Sequence, residues 1–253
     1  MAKNKTIRSA KSADYGIDAP PVVRNLILSG IGSFAAGTIF YLVLNNIQPL
    51  VASIFFYLGI VSAVSFLFTT GMMIWSSKVG KLIQRERLID SLSLKSNENV
   101  LDVGCGRGLL LNAVAHRLTS GKVIGIDLWQ SEDLSGNRIE TTLANAQAEG
   151  VADRVEIKTG DMRELQILDN TMDAVVASIS IHNIPDQAGR AKAIREIARV
   201  LKPGGRVALQ DFQCTKEYVL TLQDLGWKDI NRSRLIFRMF PPIRIVTGKK
   251  PQQ

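Results

Sequence analysis

The sequence predicts an α/β domain preceded by two membrane-spanning helices, and three observations carry this prediction. Residues 25–44 and 50–75 form two long stretches without a charged side chain. Beyond residue 78, short apolar runs alternate with helix-like stretches. A glycine-rich turn at residues 104–108 directly follows the first of these runs. Such alternation is typical of a mainly parallel sheet with helices on both faces.

Each uncharged stretch exceeds the roughly 18 residues at which a membrane helix becomes the leading interpretation. Glycine and serine recur in both stretches, and small residues let membrane helices pack closely. A polar turn connects them, and its Pro49 suits the first position of the second helix. A secretory signal peptide fits poorly, because the basic flank contains Asp14 and Asp18 and a second apolar stretch follows the first. A buried helical hairpin in a soluble protein is the alternative.

The flanking charges predict the orientation of this hairpin. Basic residues precede the first stretch and follow the second, at Lys3, Lys5, Arg8, Lys11, Arg24, Lys78, Lys81, Arg85 and Arg87. Because the connecting turn is uncharged, we expect both termini and the α/β domain in the cytoplasm. The predicted organisation is a basic tail (1–24), two transmembrane helices (25–75, about 25–44 and 50–75) and a domain (76–253).

The net charge of +8 is concentrated beside the apolar region and at the C-terminus. This distribution suits an anionic membrane surface and indicates no nucleic-acid partner. Four arginines at the predicted sheet edge are either contacts for anionic head groups or a solvated basic face: Arg232, Arg234, Arg238 and Arg244. The two cysteines lack metal-ligand spacing, so we expect no metal.

The domain divides into seven predicted strands and five helices. The strands fall near 99–103, 122–127, 154–159, 172–178, 206–212, 229–237 and 243–248, and the helices near 79–92, 108–118, 133–149, 188–201 and 216–225. The last two strands are joined without room for a helix, so we expect them to pair antiparallel. Ligands of such sheets bind beyond the carboxyl ends of the strands, where the glycine turn lies.

The chemistry around the glycine turn distinguishes between cofactors. Glycine lets the backbone turn sharply and lets a ligand approach closely. The dinucleotide fingerprint is G-x-G-x-x-G, whereas here the glycines alternate and Asp102 precedes them. The carboxylate of Asp102 would repel a pyrophosphate and attract an ammonium group. The second strand ends at Asp127, which can accept hydrogen bonds from ribose hydroxyls, and the third is followed by Asp161, which can accept one from an exocyclic amine.

These residues, in this order, resemble the class I S-adenosylmethionine-dependent methyltransferases, over about residues 80–250. The resemblance implies a seven-stranded Rossmann-like methyltransferase sheet, S-adenosyl-L-methionine as cofactor and transfer of its methyl group. It also implies that residues 177–184 border the transferred methyl. The cofactor-binding residues expected from it are Asp102, Gly104, Cys105, Gly106, Gly108, Asp127, Leu128, Gly160, Asp161, Met162 and Ser178.

Methyl transfer requires an acceptor held in line and, for some acceptors, removal of a proton. His182, just after the fourth strand, is the candidate base, and the alternative is that it packs on the cofactor or caps its loop. Asp211 is a candidate for a minor role in substrate binding. A membrane hairpin favours a lipophilic acceptor such as a lipid, a quinone precursor or a pigment, unless it serves only to localise the enzyme. A membrane-tethered sensor or scaffold that binds the cofactor without turnover is the alternative from another class.

Overall fold

A computed structural model describes residues 12–130 and 134–252. The helices are Pro20–Leu44 (α1), Pro49–Trp75 (α2), Lys81–Asp90 (α3), Leu109–Ala115 (α4), Ile139–Ala148 (α5), Gln187–Val200 (α6) and Thr215–Asp224 (α7). The strands are Asn99–Val103 (β1), Lys122–Asp127 (β2), Val155–Thr159 (β3), Met172–Ser178 (β4), Leu201–Asp211 (β5), Ile230–Arg232 (β6) and Arg244–Lys249 (β7).

Helices α1 and α2 form an antiparallel hairpin that is long and apolar enough to cross a membrane. In the most apolar 18-residue window of each helix, only 11% of the residues are buried within the chain. This exposure disfavours the alternative of a buried hairpin, because the core helix of a soluble protein hides its apolar side chains. The two helices meet closely at Gly37, where a Cβ atom would lie 3.0 Å from the Cα atom of Gly59.

The second apolar helix continues directly into the domain. A π-helical turn at Ser76–Gly80 joins α2 to α3, and α3 packs on the sheet through Leu88 and Ile89. Helix α1 begins at Pro20, five residues before the predicted span. Ahead of α1, residues 14–18 lie against the domain and not apart from it. We call residues 14–18 the strap.

The described strands form a seven-stranded sheet in the order β3-β2-β1-β4-β5-β7-β6, in which β7 runs antiparallel to both neighbours. Helices α3, α4 and α5 contribute to a buried apolar cluster on one face, and α6 and α7 contribute to a second cluster on the other. The predicted α/β fold, with helices on both faces and an antiparallel final pair, is confirmed.

Two strands differ from their predicted bounds by more than one residue. Strand β5 begins at Leu201, because this residue pairs with Met172 before the register shifts. Strand β6 ends at Arg232 and not near residue 237, because the chain then leaves the ladder and returns only through a bridge between Ile236 and Ile243. The order of strands reverses between β1 and β4, so their carboxyl ends border a crevice of the kind that binds ligands in such sheets.

Candidate cofactor-binding site

The glycine turn after β1 adopts a backbone that other residues rarely take. Gly104 and Gly106 have φ angles of 71° and 51°, in the left-handed region. A Cβ atom on Gly104 would lie 2.3 Å from the Cβ of Ser180, so the turn approaches the β4 loop closely. Gly108 has a φ of 85° and precedes α4. The turn therefore leaves the mouth of the crevice free of side chains at its centre.

Asp127, at the end of β2, is bound to the glycine turn. Its Oδ2 accepts a hydrogen bond of 2.8 Å from the Gly106 amide. Its Oδ1 accepts hydrogen bonds from the Trp129 amide at 2.6 Å and from Asn137 Nδ2 at 3.1 Å. These donors fix the carboxylate at the edge of the crevice.

Asp161, after β3, is paired with a neighbouring arginine. Arg163 Nη2 lies 2.6 Å from Asp161 Oδ2, and this contact is the main reason that the pKa of Asp161 is lowered. Arg163 lines the same cavity. Since a carboxylate can accept several hydrogen bonds, Asp161 keeps capacity for a further donor.

Asp102 is the buried carboxyl group of the site. The residue is 1% exposed, and its Oδ2 atom has no hydrogen-bond partner among the described residues. Burial raises the pKa of Asp102 to about 8; the Leu111 amide opposes this shift and the Asp127 carboxylate adds to it. An orphaned carboxylate oxygen at a cavity wall is the feature expected of a site that receives a cationic group.

The strap closes one side of this cavity, and sequence reasoning missed it. Tyr15 and Asp18 line the cavity together with Lys81 from α3. Lys81 is 4% exposed, and its Nζ donates to the carbonyl oxygens of Tyr15 and Gly16 at 2.8 and 3.2 Å and to Asp18 Oδ1 at 2.9 Å. The sequence analysis counted Lys81 only as one of the basic residues that follow the second span, and the structure buries it against the strap.

The rest of the strap is held by the helices beside the glycine turn. Asn112 of α4 donates to the Tyr15 hydroxyl at 3.0 Å, and Arg107 lies 3.0 Å from Asp14. Asn145 of α5 donates to the backbone oxygens of both Asp14 and Arg107 at 2.9 Å. The strap is therefore joined to the loop that shapes the cavity.

His182 lies at the carboxyl ends of β4 and β5. Its Nδ1 is 2.9 Å from Asp211 Oδ1, without the alignment of a hydrogen bond, and its ring meets Phe212 edge-on at 4.5 Å between centroids. Asp211 is buried, and its Oδ2 accepts a hydrogen bond from the Tyr218 hydroxyl at 2.9 Å. The imidazole therefore lies in the wall beside a buried carboxylate, next to the cavity residue Asn183.

Most of the predicted cofactor-binding residues line one cavity. They are Asp102, Gly104, Cys105, Gly106, Asp127, Leu128, Gly160, Asp161, Met162 and Ser178. Gly108 does not line it, because this last residue of the turn directly precedes α4. His182 does not line the cavity either. Their roles stay predictions. Among the described residues, no cluster of histidine, cysteine or carboxylate side chains suits a metal ion.

The fold and this cavity define a Rossmann-like methyltransferase domain, and residues 100–205 match the family described as "Methyltransferase domain". This match and the fold show a class I S-adenosylmethionine-dependent methyltransferase domain within residues 100–205, and the cofactor of this class is S-adenosylmethionine. The cavity fits this cofactor, because the orphaned Asp102 carboxylate suits its ammonium group and the glycine turn admits it without a Cβ in the way.

The chain is similar to curated methyltransferases. It is 36% identical over 124 residues to the demethylmenaquinone methyltransferase of Lactiplantibacillus plantarum, covering 49% of this chain and 48% of that protein. It is 34% identical over 134 residues to the chloroplastic 2-phytyl-1,4-beta-naphthoquinone methyltransferase of Arabidopsis thaliana, covering 53% and 48%. The chain thus spans about half the length of these two relatives.

Solved structures share the fold at low identity. A putative S-adenosylmethionine-dependent methyltransferase from Methanococcus maripaludis superposes with a TM-score of 0.55 and 19% identity, covering 73% of this chain and 93% of that one. The [4+2]-cyclase SpnF superposes with a TM-score of 0.58 and 20% identity, covering 68% and 81%. Likeness at this level shows the fold alone.

Proposed function

We propose that this chain is a membrane-anchored methyltransferase that transfers a methyl group from S-adenosylmethionine to a lipophilic acceptor at the cytoplasmic membrane face. One observation carries the proposal: the cavity that contains Asp102 is walled by residues continuous with both apolar helices. Asp18 lies two residues before α1. Lys81 lies six residues after the end of α2, which is about 9 Å along a helix axis.

The hairpin supports the membrane part of this proposal. Helices of 25 and 27 residues are about 38 and 40 Å long, which exceeds the roughly 30 Å of a hydrocarbon core. The uncharged turn between them and the basic residues outside them favour cytoplasmic termini. A cavity about 9 Å beyond the apolar helix lies within reach of a molecule whose reactive group stands at the membrane surface.

Two of the relatives are named for quinone substrates, demethylmenaquinone and 2-phytyl-1,4-beta-naphthoquinone, and this supports a quinone precursor among the lipophilic candidates. The acceptor would lie beside the loop after β4, which includes Ser180 and Asn183. Lys81 and Met239 line other parts of the cavity wall. Ser180, Asn183 and Met239 belong to the α/β domain, whereas Lys81 begins α3, which the π-helical turn joins to α2.

In this proposal, several side chains of the site have a role in cofactor binding or in proton transfer. Asp102 would hold the ammonium group of the cofactor, Asp127 its ribose hydroxyls, and Asp161 with Met162 its adenine. When bound, the cofactor supplies a methyl group on a positively charged sulfur, which needs no further activation. The chain orients the acceptor and excludes water. For an acceptor that must lose a proton, His182 is the candidate base, with Asp211 stabilising the imidazolium.

The test uses the full chain in lipid nanodiscs with methyl-labelled S-adenosylmethionine. We expect label in the lipid fraction of a total membrane extract, and none with the Asp102→Asn variant. Label confined to soluble protein would contradict the lipophilic acceptor. Cofactor binding without transfer to any fraction would favour the sensor or scaffold. Release of the chain from membranes by alkaline carbonate would contradict the integral hairpin.

A further inference from the structure

The chain between β6 and β7 exposes large apolar side chains among arginines. We call residues 233–240 the β6–β7 loop. Phe237 is 72% exposed and Leu235 is 45% exposed, and the exposed residues Arg234 and Arg238 flank them. Adjacent exposed apolar side chains with a cationic rim are typical of an interaction surface.

The position of this loop is fixed by the end of the second apolar helix. The Phe240 amide donates a hydrogen bond of 2.8 Å to Ser76 Oγ, the first residue after α2. A Cβ atom on Gly80 would lie 2.2 Å from the Arg238 carbonyl oxygen, so the loop backbone touches the π-helical turn. Phe237 is three residues from Phe240, so their Cα atoms are at most about 11 Å apart.

The depth of the loop follows from the length of α2. A helix of 27 residues is about 40 Å long, so α2 crosses a core of about 30 Å with about two turns to spare. In a hairpin that spans the membrane, the end of α2 at Trp75 would therefore lie at the level of the lipid head groups. The β6–β7 loop, which contacts Ser76 and Gly80, would lie at the same level.

The charges of the loop complement an anionic surface. Neither Arg234 nor Arg238 has a side-chain hydrogen bond or an ion pair with any described residue. Arg232 and Arg244 differ, because they donate to Thr215 Oγ1 and to the Ser233 carbonyl oxygen. The two guanidinium groups nearest the exposed apolar side chains are thus the ones that can contact phosphates.

We propose that the β6–β7 loop docks on the anionic cytoplasmic leaflet, with Leu235 and Phe237 inserted among the head groups and Arg234 and Arg238 on lipid phosphates. This inference rests on the proposed function, because the leaflet is adjacent only if the hairpin spans the membrane. Met239 of the same loop is 3% exposed and lines the cavity. Docking therefore presents one wall of the cavity to the interface where a lipophilic acceptor would lie.

The test places an environment-sensitive fluorophore at Phe237→Cys in the full chain. The background carries Cys214→Ser, since Cys105 is buried and Cys214 is partly exposed. Leu168→Cys is the matched control, because Leu168 is also a large apolar residue and is 78% exposed. It precedes the amino end of β4, opposite the carboxyl ends of the strands that border the site. Nanodiscs of phosphatidylglycerol or of phosphatidylcholine contain spin-labelled lipid as the quencher.

We expect the probe at position 237 to be blue-shifted and quenched several-fold more than the probe at 168 in phosphatidylglycerol. The difference should shrink in phosphatidylcholine and in the double variant R234E/R238E. Equal quenching at the two positions, in a chain that resists carbonate extraction, overturns the docking proposal alone. Release by carbonate overturns the membrane anchor of the proposed function, and the docking proposal with it.

Discussion

Lys81 Nζ lies 2.9 Å from Asp18 Oδ1, and this ion pair joins the segments that follow and precede the two apolar helices. The lysine is buried, and burial lowers its pKa although Asp18 opposes the shift. Two strap carbonyl oxygens also accept from it. A buried ammonium with three acceptors fixes the strap on the cavity, so the hairpin and the cofactor site form one structural unit.

Replacing Lys81 with methionine should release the strap. The variant leaves the two strap carbonyl oxygens without the Lys81 donor and removes the ion pair of Asp18 Oδ1, and we expect the free energy of unfolding to fall by about 2–3 kcal/mol. We also expect cofactor affinity to fall about tenfold, because Tyr15 and Asp18 line the cavity. Thermal unfolding and calorimetry of the full chain in detergent measure the two effects.

Lys78→Met is the matched control for this prediction. Lys78 pairs with Asp14 at 3.1 Å, but its side chain is 49% exposed, so its loss should cost at most about 0.5 kcal/mol. Equal effects of the two substitutions on cofactor affinity would show that the strap does not shape the site.

The comparison of the strap with the glycine turn shows what the sequence could reveal. The turn and its acids were predictable, because each follows an apolar run that ends at a carboxyl edge of the sheet. The strap was not, because its contacts join Tyr15 to Asn112 and Asp14 to Asn145, which are 97 and 131 residues apart. A local periodicity in the sequence cannot predict contacts between residues so far apart. The position of Lys81 was likewise not predictable from the sequence. A lysine after the second apolar stretch contributes to the positive charge of that flank whether its side chain is exposed or buried in the domain.

Binding of S-adenosylmethionine should release a proton. Because the pKa of Asp102 is raised to about 8, its carboxyl is mostly protonated in the ligand-free chain near pH 7. An ammonium group favours the ionised form, so we expect up to about one proton released per cofactor near pH 7. Calorimetry in two buffers with different ionisation enthalpies measures this number. Asp102→Asn should abolish the release and weaken binding more than about tenfold; release that persists in this variant would exclude Asp102 as its source.

The same group should make the stability of the ligand-free chain depend on pH. A carboxyl whose pKa is raised on folding contributes its stabilisation in full below about pH 4, and the contribution is lost as the pH rises through about 8. We therefore expect the free energy of unfolding to decline across this window, and to decline less in Asp102→Asn. Denaturant titrations at a series of pH values measure this free energy for both proteins. If it declines equally with pH in the two, the prediction fails.

His182→Gln should separate catalysis from cofactor binding. If the imidazole removes a proton from the acceptor, kcat should fall by about 10²–10⁴ while the cofactor dissociation constant is unchanged. Asp211→Asn should lower kcat less and shift its pH profile, because it alters the carboxylate 2.9 Å from Nδ1. His116→Gln is the control, since His116 is 43% exposed, pairs with Glu149 and does not line the cavity. A kcat that is unchanged in His182→Gln would leave the ring a packing role against Phe212.

Two glycines of α2 should respond differently to the same substitution. A Cβ atom at Gly59 would lie 2.8 Å from the Ser33 carbonyl oxygen and 2.9 Å from the Cα of Gly37, whereas at Gly71 nothing lies within 4 Å. Both positions are inside one helix, so Gly59→Val and Gly71→Val change helix propensity alike and differ only in packing against α1. Overpacking costs about 1–3 kcal/mol, so Gly59→Val should lower the thermal midpoint in mild detergent and Gly71→Val should not. Equal midpoints would mean that α1 and α2 do not pack through Gly37 and Gly59 in the chain in detergent.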